Sequence, residues 1–555
     1  MTNKEIASTF QFLGQIMELH GENPYKIRSY QNAYMTLRKL DRPLAEMSDE
    51  EIGGIKGVGK AIGGKIRELL DTGKMATLER YRAQTPPGVQ EMLQIKGFGP
   101  KKIRVLWKEL GAETIGELLY AVNENRLIEL KGFGKKTQDD LKTKLDYYQR
   151  SRNKFHYASL EAEAELVLEG IARLLPRARL SLAGPLRRRV NVLEAIEVLV
   201  GSEASIDGLF EGGLLTSAQQ EDSGDGLTCW RARSEKDLPV LLRQCPPEVF
   251  GSTLFRYTAA DDFREAFVNA YPAVSAEPLA EESEVFARAG LPFIAPELRE
   301  QAWALDLARE NRLPQLLEES EIKGVLHAHS TDSDGLDSLR EMAIYTRDQG
   351  YAYLGITDHS RSAFYANGLS PERLLRQFEE IEALNAELAP FQIFKGIESD
   401  ILNDGSLDYE EELLRQFDFI IASVHSNLRM DEEKATRRLI TAVENPYTSM
   451  LGHPTGRLLL SRPGYPIDHR RVIDACAANG VAIEINANPY RLDLDWSWIP
   501  YALEKGVLIA VNPDAHSREG IHDIHYGVLS ARKGGLEREQ CLNCLDTEEF
   551  ARWCR

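Results

Sequence analysis

Residues 321–555 constrain the fold of this chain more than any other stretch. Seven short apolar runs recur there: VLHAHS, YLGITDHS, IFKGIESD, FIIASVHS, SMLGHPTG, VAIEINANP and VLIAVNPDAHS. Stretches of helical periodicity separate them. Strands that alternate with helices build a parallel sheet or a (β/α) barrel. Nearly every run ends in His, Asp or Glu, and barrels of this kind carry their chemistry at the C-terminal ends of the strands.

The residues at those ends are His327, His329 and Asp334; Asp358 and His359; Glu398; His425; His453; and Asp514 with His516. His-x-His and Asp-x-His place both side chains on one strand face, because successive residues alternate. Six of the eleven histidines sit at such ends. Imidazole with carboxylate suits zinc, manganese or iron rather than calcium. A lone histidine is ordinarily a core or surface residue, and His20, His156, His469, His522 and His525 are read that way.

A chain of 555 residues exceeds one core, so several units are expected. No apolar run approaches the roughly 20 residues that span a bilayer. The start, MTNKEIASTF, lacks the basic residues and apolar stretch of a signal peptide. Six cysteines make no disulfide framework, so a cytoplasmic location is expected. The Cys541-x-x-Cys544 pair has no second pair nearby and is read as an ordinary C-terminal helix surface.

The net charge of −19 conceals an asymmetry: residues 1–155 carry 27 Lys and Arg against 20 Asp and Glu, and the remainder 40 against 66. Within the basic part a pattern occurs three times: IKGVGKAIGGKI (55–66), IKGFGPKKIRVL (95–106) and LKGFGKKTQDDL (130–141). Two glycines one residue apart, just before a helix, allow a tight turn whose backbone N–H groups bind phosphate. The candidate turn residues are Gly57 and Gly59, Gly97 and Gly99, and Gly132 and Gly134. Lys56, Lys60, Lys96, Lys101, Lys102, Lys131, Lys135 and Lys136 add attraction that is independent of base sequence.

These repeats resemble helix-hairpin-helix motifs, which implies a grip on the DNA backbone. The block 1–80, with GENPYKIRSYQNAY (21–34), resembles the small N-terminal domain of family X DNA polymerases. That resemblance puts the family's Schiff-base lysine on Lys65, and a solvated or phosphate-contacting lysine is the competing reading. Residues 155–320 resemble the palm and thumb of the same family, with conspicuous departures. The palm's Gly-Ser reads Gly184-Pro185, and an arginine pair remains as Arg187 and Arg188. The two strand aspartates fall on Ala195 and Glu197, within an expected strand over 192–200. The turn PPEVFG (246–251) is retained, but the third aspartate falls on Leu241. A thumb motif reads Tyr257-Thr258-Ala259-Ala260. Two-metal nucleotide addition needs bridging carboxylates, so little or no polymerase activity is expected. GSEASID (201–207) and DDF (261–263) supply the nearest alternative carboxylates.

The C-terminal motifs, HxH-x4-D, then DH, E, H, H and DxH, resemble the PHP (polymerase and histidinol phosphatase) family, which implies a distorted (β/α)7 barrel with up to three divalent metals. The resemblance assigns His327, His329, Glu398 and Asp514 to one metal, with Glu398, Asp514 and His329 at catalytic positions. It assigns Glu398, His425 and His453 to a second, and Asp334, His359 and His516 to a third. Asp358 would support its neighbour. Arg361, Arg457 and Arg462 follow ligand motifs and are candidates for phosphate or for ordinary loop roles. The implied organisation is a lyase-like helical domain (1–80), a fingers-like hairpin domain (81–154), a degenerate palm (155–250), a thumb (251–318) and the PHP domain (319–555). The implied activity is a manganese- or zinc-dependent 3′–5′ exonuclease acting in repair on gapped, nicked or 3′-ended DNA, with iron also possible. An active gap-filling polymerase, a small-molecule phosphatase and a non-catalytic DNA-binding scaffold are the competing readings.

Overall fold

The computed structural model describes residues 1–40, 42–95, 98–128, 130, 132–150, 154–222 and 227–554. The chain divides into two compact units, Met1–Tyr148 and Gln149–Arg555. The first is helical. Its opening helix α1 (Asn3–Leu19) begins on a reciprocal cap between Thr2 and Glu5 and buries Ile6, Phe10, Leu13 and Met17, one stripe at helical spacing. It packs against α2 (Pro24–Leu37), which Asn23 caps and Pro24 starts.

The described residues of the three repeats share one feature. A tight turn closes with Val58 N–H donating to Ile55 O, Phe98 N–H to Ile95 O and Phe133 N–H to Leu130 O, at 2.9, 3.1 and 2.9 Å. Helices α3 (Lys60–Thr72), α4 (Pro100–Lys108) and α5 (Lys135–Arg150) follow. Gly57 and Gly132 have φ of 88° and 91°, which is why glycine recurs there. The apolar residue between the glycines (Val58, Phe98, Phe133) is buried in every copy, and the described glycines and lysines around it are exposed.

The second unit opens with helix α6 (Tyr157–Leu174) over a five-stranded sheet. Its strands are β1 (Arg179–Leu182), β2 (Ile196–Gly201), β3 (Thr216–Asp222), β4 (Thr228–Arg233) and β5 (Pro239–Cys245), in the order β1-β2-β5-β4-β3. β2 and β5 run parallel, and the other neighbours are antiparallel. The strand expected over 192–200 is not continuous. Val192–Leu193 pairs with Phe155–His156, and after Ala195 the chain changes partners and joins the larger sheet as β2. A helical region follows, with its own core of Phe255, Phe263, Phe267 and Phe286.

The remainder is a seven-stranded parallel sheet, in chain order β6 (Gly324–Ala328), β7 (Tyr353–Ile356), β8 (Gln392–Asp400), β9 (Phe419–Ser423), β10 (Met450–Leu451), β11 (Ala482–Asn486) and β12 (Ile509–Asn512). It curls until Ala328 bridges Ala515, nearly closing a barrel. Leu326, Phe394, Phe419, Ile421, Met450, Ala482 and Ala510 fill the interior. Phe550 of a C-terminal helix (Thr547–Trp553) joins them, its ring stacked on Tyr353 at 5.0 Å. Cys541 and Cys544 are buried beside the barrel rather than on a helix surface, and all six cysteines are free thiols. No helix of the described residues is long and apolar enough to cross a membrane.

Candidate metal centre

Alternation along the barrel strands carries the interior upward from apolar to polar. On β8 the inward set is Phe394, Gly396, Glu398 and Asp400; on β11 it is Ala482, Glu484 and Asn486. β6 departs from simple alternation. Leu326 is inside, the register slips between Leu326 and Ala328, and His327 has φ of 64°. This bulge turns His327 inward directly after Leu326, and alternation then brings in His329. Asp514 also has a positive φ, 52°. Non-glycine residues rarely adopt this conformation, and such strain collects at functional sites.

All nine expected ligand residues meet at this end of the barrel, every one of them largely buried. Glu398 is the centre. Its Oε1 lies 3.3 Å from His327 Nε2, 3.0 Å from His425 Nε2 and 2.9 Å from His453 Nε2, and its Oε2 lies 3.0 Å from His359 Nδ1. Asp514 Oδ1 stands 3.1 Å from His329 Nε2 and 3.4 Å from His327 Nε2. Asp334 lies 3.6 Å from His359 and 3.4 Å from His516. Donor atoms converge in three groups: His327, His329 and Asp514; His359, Glu398 and His425; and His329, Asp334, His359 and His516. The groups share members, so His329 and His359 each face two positions where the sequence assigned them one.

Four residues that sequence reasoning did not place complete the site. Glu484 Oε2 lies 2.6 Å from His327 Nδ1, and Asp400 Oδ1 lies 2.5 Å from His425 Nδ1. Asn512 donates to Glu484 at 2.8 Å, and Asn486 to Asp514 at 2.8 Å. A carboxylate on Nδ1 keeps the ring proton there and turns the Nε2 lone pair toward the centre. The backbone oxygen of Asp514 does the same for His516, 3.0 Å from its Nδ1. The signal was in the sequence: Glu484 interrupts the apolar alternation of VAIEIN, and Asp400 is two residues beyond Glu398. Asp358 accepts from Ser330, Ser333 and Gln377, so it ties down the loop that carries Asp334. Burial pushes its carboxyl up to about 6.

The electrostatics suit a bound cation. Burial opposes charge on Glu398, yet His425, His327 and His359 hold its carboxyl well below the ordinary range. Burial likewise opposes charge on His425, but Glu398 and Asp400 raise it to about 9. His329, buried beside His516, falls to about 3 and is neutral. His327 Nε2, both ring nitrogens of His359 and Glu398 Oε2 are buried without a hydrogen-bond partner among the described residues. Each such atom ordinarily costs about 1–3 kcal/mol, and several aimed at one place fit divalent metal ions.

The palm positions do not fit metals. Ile196, Val198 and Val200 of β2 pack into the core under α6, so Ala195 and Glu197 share the opposite face. Leu241 on β5 is the register partner of Glu197. Glu197 Oε2 accepts from Arg243 at 2.5 Å, and the Arg243 guanidinium lies 4.2 Å over the Tyr257 ring. Arg187 makes a two-pronged pair with Glu282, both bonds 2.7 Å, and Arg188 pairs with Glu300 at 3.0 Å. The alternative carboxylates do not converge: Asp207 bonds Ser205, Asp261 pairs with Arg264, and Asp262 accepts from Ala302 N–H.

The remaining candidates are placed as follows. Lys96, Gly97 and Lys131 lie outside the described residues. Lys65 is on α3 and donates to Thr77 Oγ1 at 2.6 Å. Arg361 is half-exposed, 3.5 Å from Asp408. Arg457 is enclosed, bonded to Asp495 at 2.6 Å and to the carbonyls of Arg491 and Leu492, so its donors hold a loop. Arg462 bonds Gly456 O at 2.9 Å.

Family models match three regions: a helix-hairpin-helix domain over 1–75, a SAM-like helix-hairpin-helix tandem over 89–145 and a PHP domain over 326–488. The chain is 35% identical to the DNA polymerase/3′-5′ exonuclease PolX of Bacillus subtilis (strain 168), over 99% of both chains. It is 30% identical to a probable phosphatase of Thermoanaerobacter sp. (strain X514), covering 36% of this chain and 87% of that one. A probable phosphatase of Acetivibrio thermocellus is 29% identical, over 34% of this chain and 74% of its own.

Proposed function

The chain belongs to the PolX family, the family X DNA polymerases that carry a PHP domain, and from that premise we propose a DNA-repair nuclease with a working phosphodiesterase centre and a silent polymerase centre. One observation carries this reading. Nine ligand-type side chains converge on the barrel mouth around Glu398, and the corresponding palm positions hold Ala195, Leu241 and a Glu197 already paired with Arg243.

Divalent metals, manganese for activity with zinc or iron as alternatives, would be held by His327, His329, Asp334, His359, Glu398, His425, His453, Asp514 and His516, and would supply polarisation of phosphodiester oxygens and activation of water. The protein's own groups do the rest. Glu398 and Asp514 provide negative charge between positions, and Glu484 and Asp400 keep protons on the outer ring nitrogens. The exposed hairpin turns grip the DNA backbone without reading bases, which brings any strand end to a general hydrolytic site. The 3′–5′ direction is taken from the Bacillus relative. A cytoplasmic location accords with six free thiols. Lys65 stands as a candidate lyase nucleophile, which borohydride trapping on an abasic strand tests directly.

A second reading, hydrolysis of a small phosphate monoester, is favoured by the likeness of the barrel to the probable phosphatases. The hairpins weigh against it, since a small substrate needs no backbone grip. The deciding experiment incubates the protein with a labelled primer on gapped DNA, manganese and all four dNTPs. The primer is expected only to shorten, and His329→Ala to abolish shortening. Lengthening overturns the silent palm. DNA binding that does not weaken with salt favours the phosphatase.

A further inference from the structure

The loop after metal-ligand candidate His359 carries two neighbouring aromatic side chains that reach solvent. Phe364 and Tyr365 lie on a short 3-10 turn (Phe364–Ala366), 89% and 42% exposed. One exposed apolar side chain needs no explanation by itself. Three observations set this pair apart.

The turn is held rigidly. Ala363 and Ala366 are buried beneath it. Ser362 N–H donates to Asp408 at 2.6 Å, Ser362 Oγ to Asp400 at 2.9 Å, and Leu369 N–H returns to His359 O at 2.9 Å. Asn367 closes the turn in the left-handed region, and Arg373 clasps its carbonyl at 2.9 Å. A Cβ at Gly368 would meet Ser360 O at 1.9 Å, so the loop crosses itself where only glycine fits. The Phe364 ring is therefore presented from a fixed backbone, which lowers the ordering cost of binding.

One member of the pair also touches the metal centre. The Tyr365 ring lies edge-on to His359 and His425, with centroids 5.9 and 6.4 Å apart. Phe364 precedes it in the chain and is the more exposed of the two. Finally, the chemistry matches one substrate part. A nucleic-acid base offers a flat π-face of which every sequence has one, and stacking on an aromatic side chain is correspondingly tolerant of sequence.

Resting on the nuclease reading above, we propose that Phe364 and Tyr365 form a stacking platform for the terminal nucleobase of the strand being hydrolysed. Hairpin turns that touch only backbone do not sense whether that base is present. The platform does, and it seats the terminal nucleotide beside the ligand cluster.

The test uses the full chain with manganese and two labelled single strands, identical except that one ends in a nucleotide and the other in an abasic deoxyribose. The parent is expected to prefer the base-bearing end. Phe364→Ala should raise KM for that end about tenfold to a hundredfold with a smaller change in kcat, and should bring the kcat/KM ratio of the two strands toward one. Phe364→Trp, which keeps a stacking face, should retain the parent's ratio. A parent ratio near one, a ratio unchanged by Phe364→Ala, or a Trp variant as impaired as the Ala variant overturns the platform and leaves the nuclease reading standing. A parent that shortens neither strand overturns the nuclease reading and the platform with it.

Discussion

The palm-like sheet, through its parallel pair β2 and β5, and the seven-stranded parallel barrel both bring side chains of neighbouring strands together, and the side chains they bring differ. In the barrel, Glu398 stands among four imidazoles, whose nitrogens lie 2.9–3.3 Å from its oxygens. In the palm, Glu197 has a guanidinium at 2.5 Å, and its neighbour across the sheet is Leu241. Both sheets keep their cores, Ile196, Val198 and Val200 in one and Leu326, Phe394 and Phe419 in the other. A fold rests on its packed face, and the chemistry rests on the other. The sheet therefore keeps its core whichever side chains its other face carries, and a carboxylate there can make an ordinary ion pair, as Glu197 does with Arg243.

The largest expected effect sharpens that contrast. Glu398→Gln removes the carboxylate shared by four histidines and should lower 3′-end shortening by a factor of at least about a thousand, several kcal/mol of transition-state stabilisation. Metal content measured on the same sample should fall. A variant that shortens DNA at the parental rate would place the chemistry elsewhere.

Next comes Lys533, buried at the end of a barrel helix, where it donates to Arg188 O and Glu300, both at 2.7 Å. Burial, partly offset by Glu300, lowers its pKa to about 8. Lys533→Met leaves Glu300 with Arg188 but without its lysine, and leaves the Arg188 carbonyl without its donor, which should cost about 1–3 kcal/mol, read as a lower thermal midpoint. An unchanged midpoint would mean that the palm's arginine pair is held without the barrel.

His156 links the same two regions: its Nε2 is 3.2 Å from Leu459 O, and its ring meets Tyr490 at 4.6 Å. Burial lowers its pKa from 6.5 to about 4. Between those values the unfolded chain binds a proton that the folded chain refuses. Stability is therefore complete above pH 6.5 and declines as pH falls toward 4, by about 3 kcal/mol at the lower end. The acid dependence of the midpoint should flatten in His156→Gln, and a parallel pair of curves would contradict the assignment.

The smallest effect is Glu484→Gln, which keeps the shape and weakens the hold on His327. Supporting residues of this kind are worth about tenfold to a hundredfold in metal affinity or activity. Metal titration of parent and variant should show it, and equal affinities would make Glu484 mere packing.

Much of this was legible before any coordinates. The ten His, Asp and Glu residues at the ends of apolar runs were readable because the period of a strand is local, and the PHP resemblance singled out nine of them as candidate ligands. The hairpin repeat was readable because Gly-x-Gly with a buried residue between is itself a local conformation. Leu241 was assigned from a turn motif five residues downstream. The rest depended on distance across the chain. Arg243 is 46 residues from Glu197, and Glu484 is 157 from His327. Even the His-x-His pair was read by alternation alone, without the bulge at His327 that sets it.

The sequence by itself determined which groups are present: His, Asp and Glu at the barrel's strand ends, Ala195, Glu197 and Leu241 in the palm-like sheet, and a basic hairpin region that binds DNA. Tertiary structure decided which groups meet: Glu398 as the shared carboxylate, Glu484 and Asp400 behind their histidines, Arg243 on Glu197, and Tyr365 against His359 and His425. The physical reason is one of range. Backbone periodicity acts over a few residues, and the register of parallel strands, joined by long crossovers, sets every distance between them.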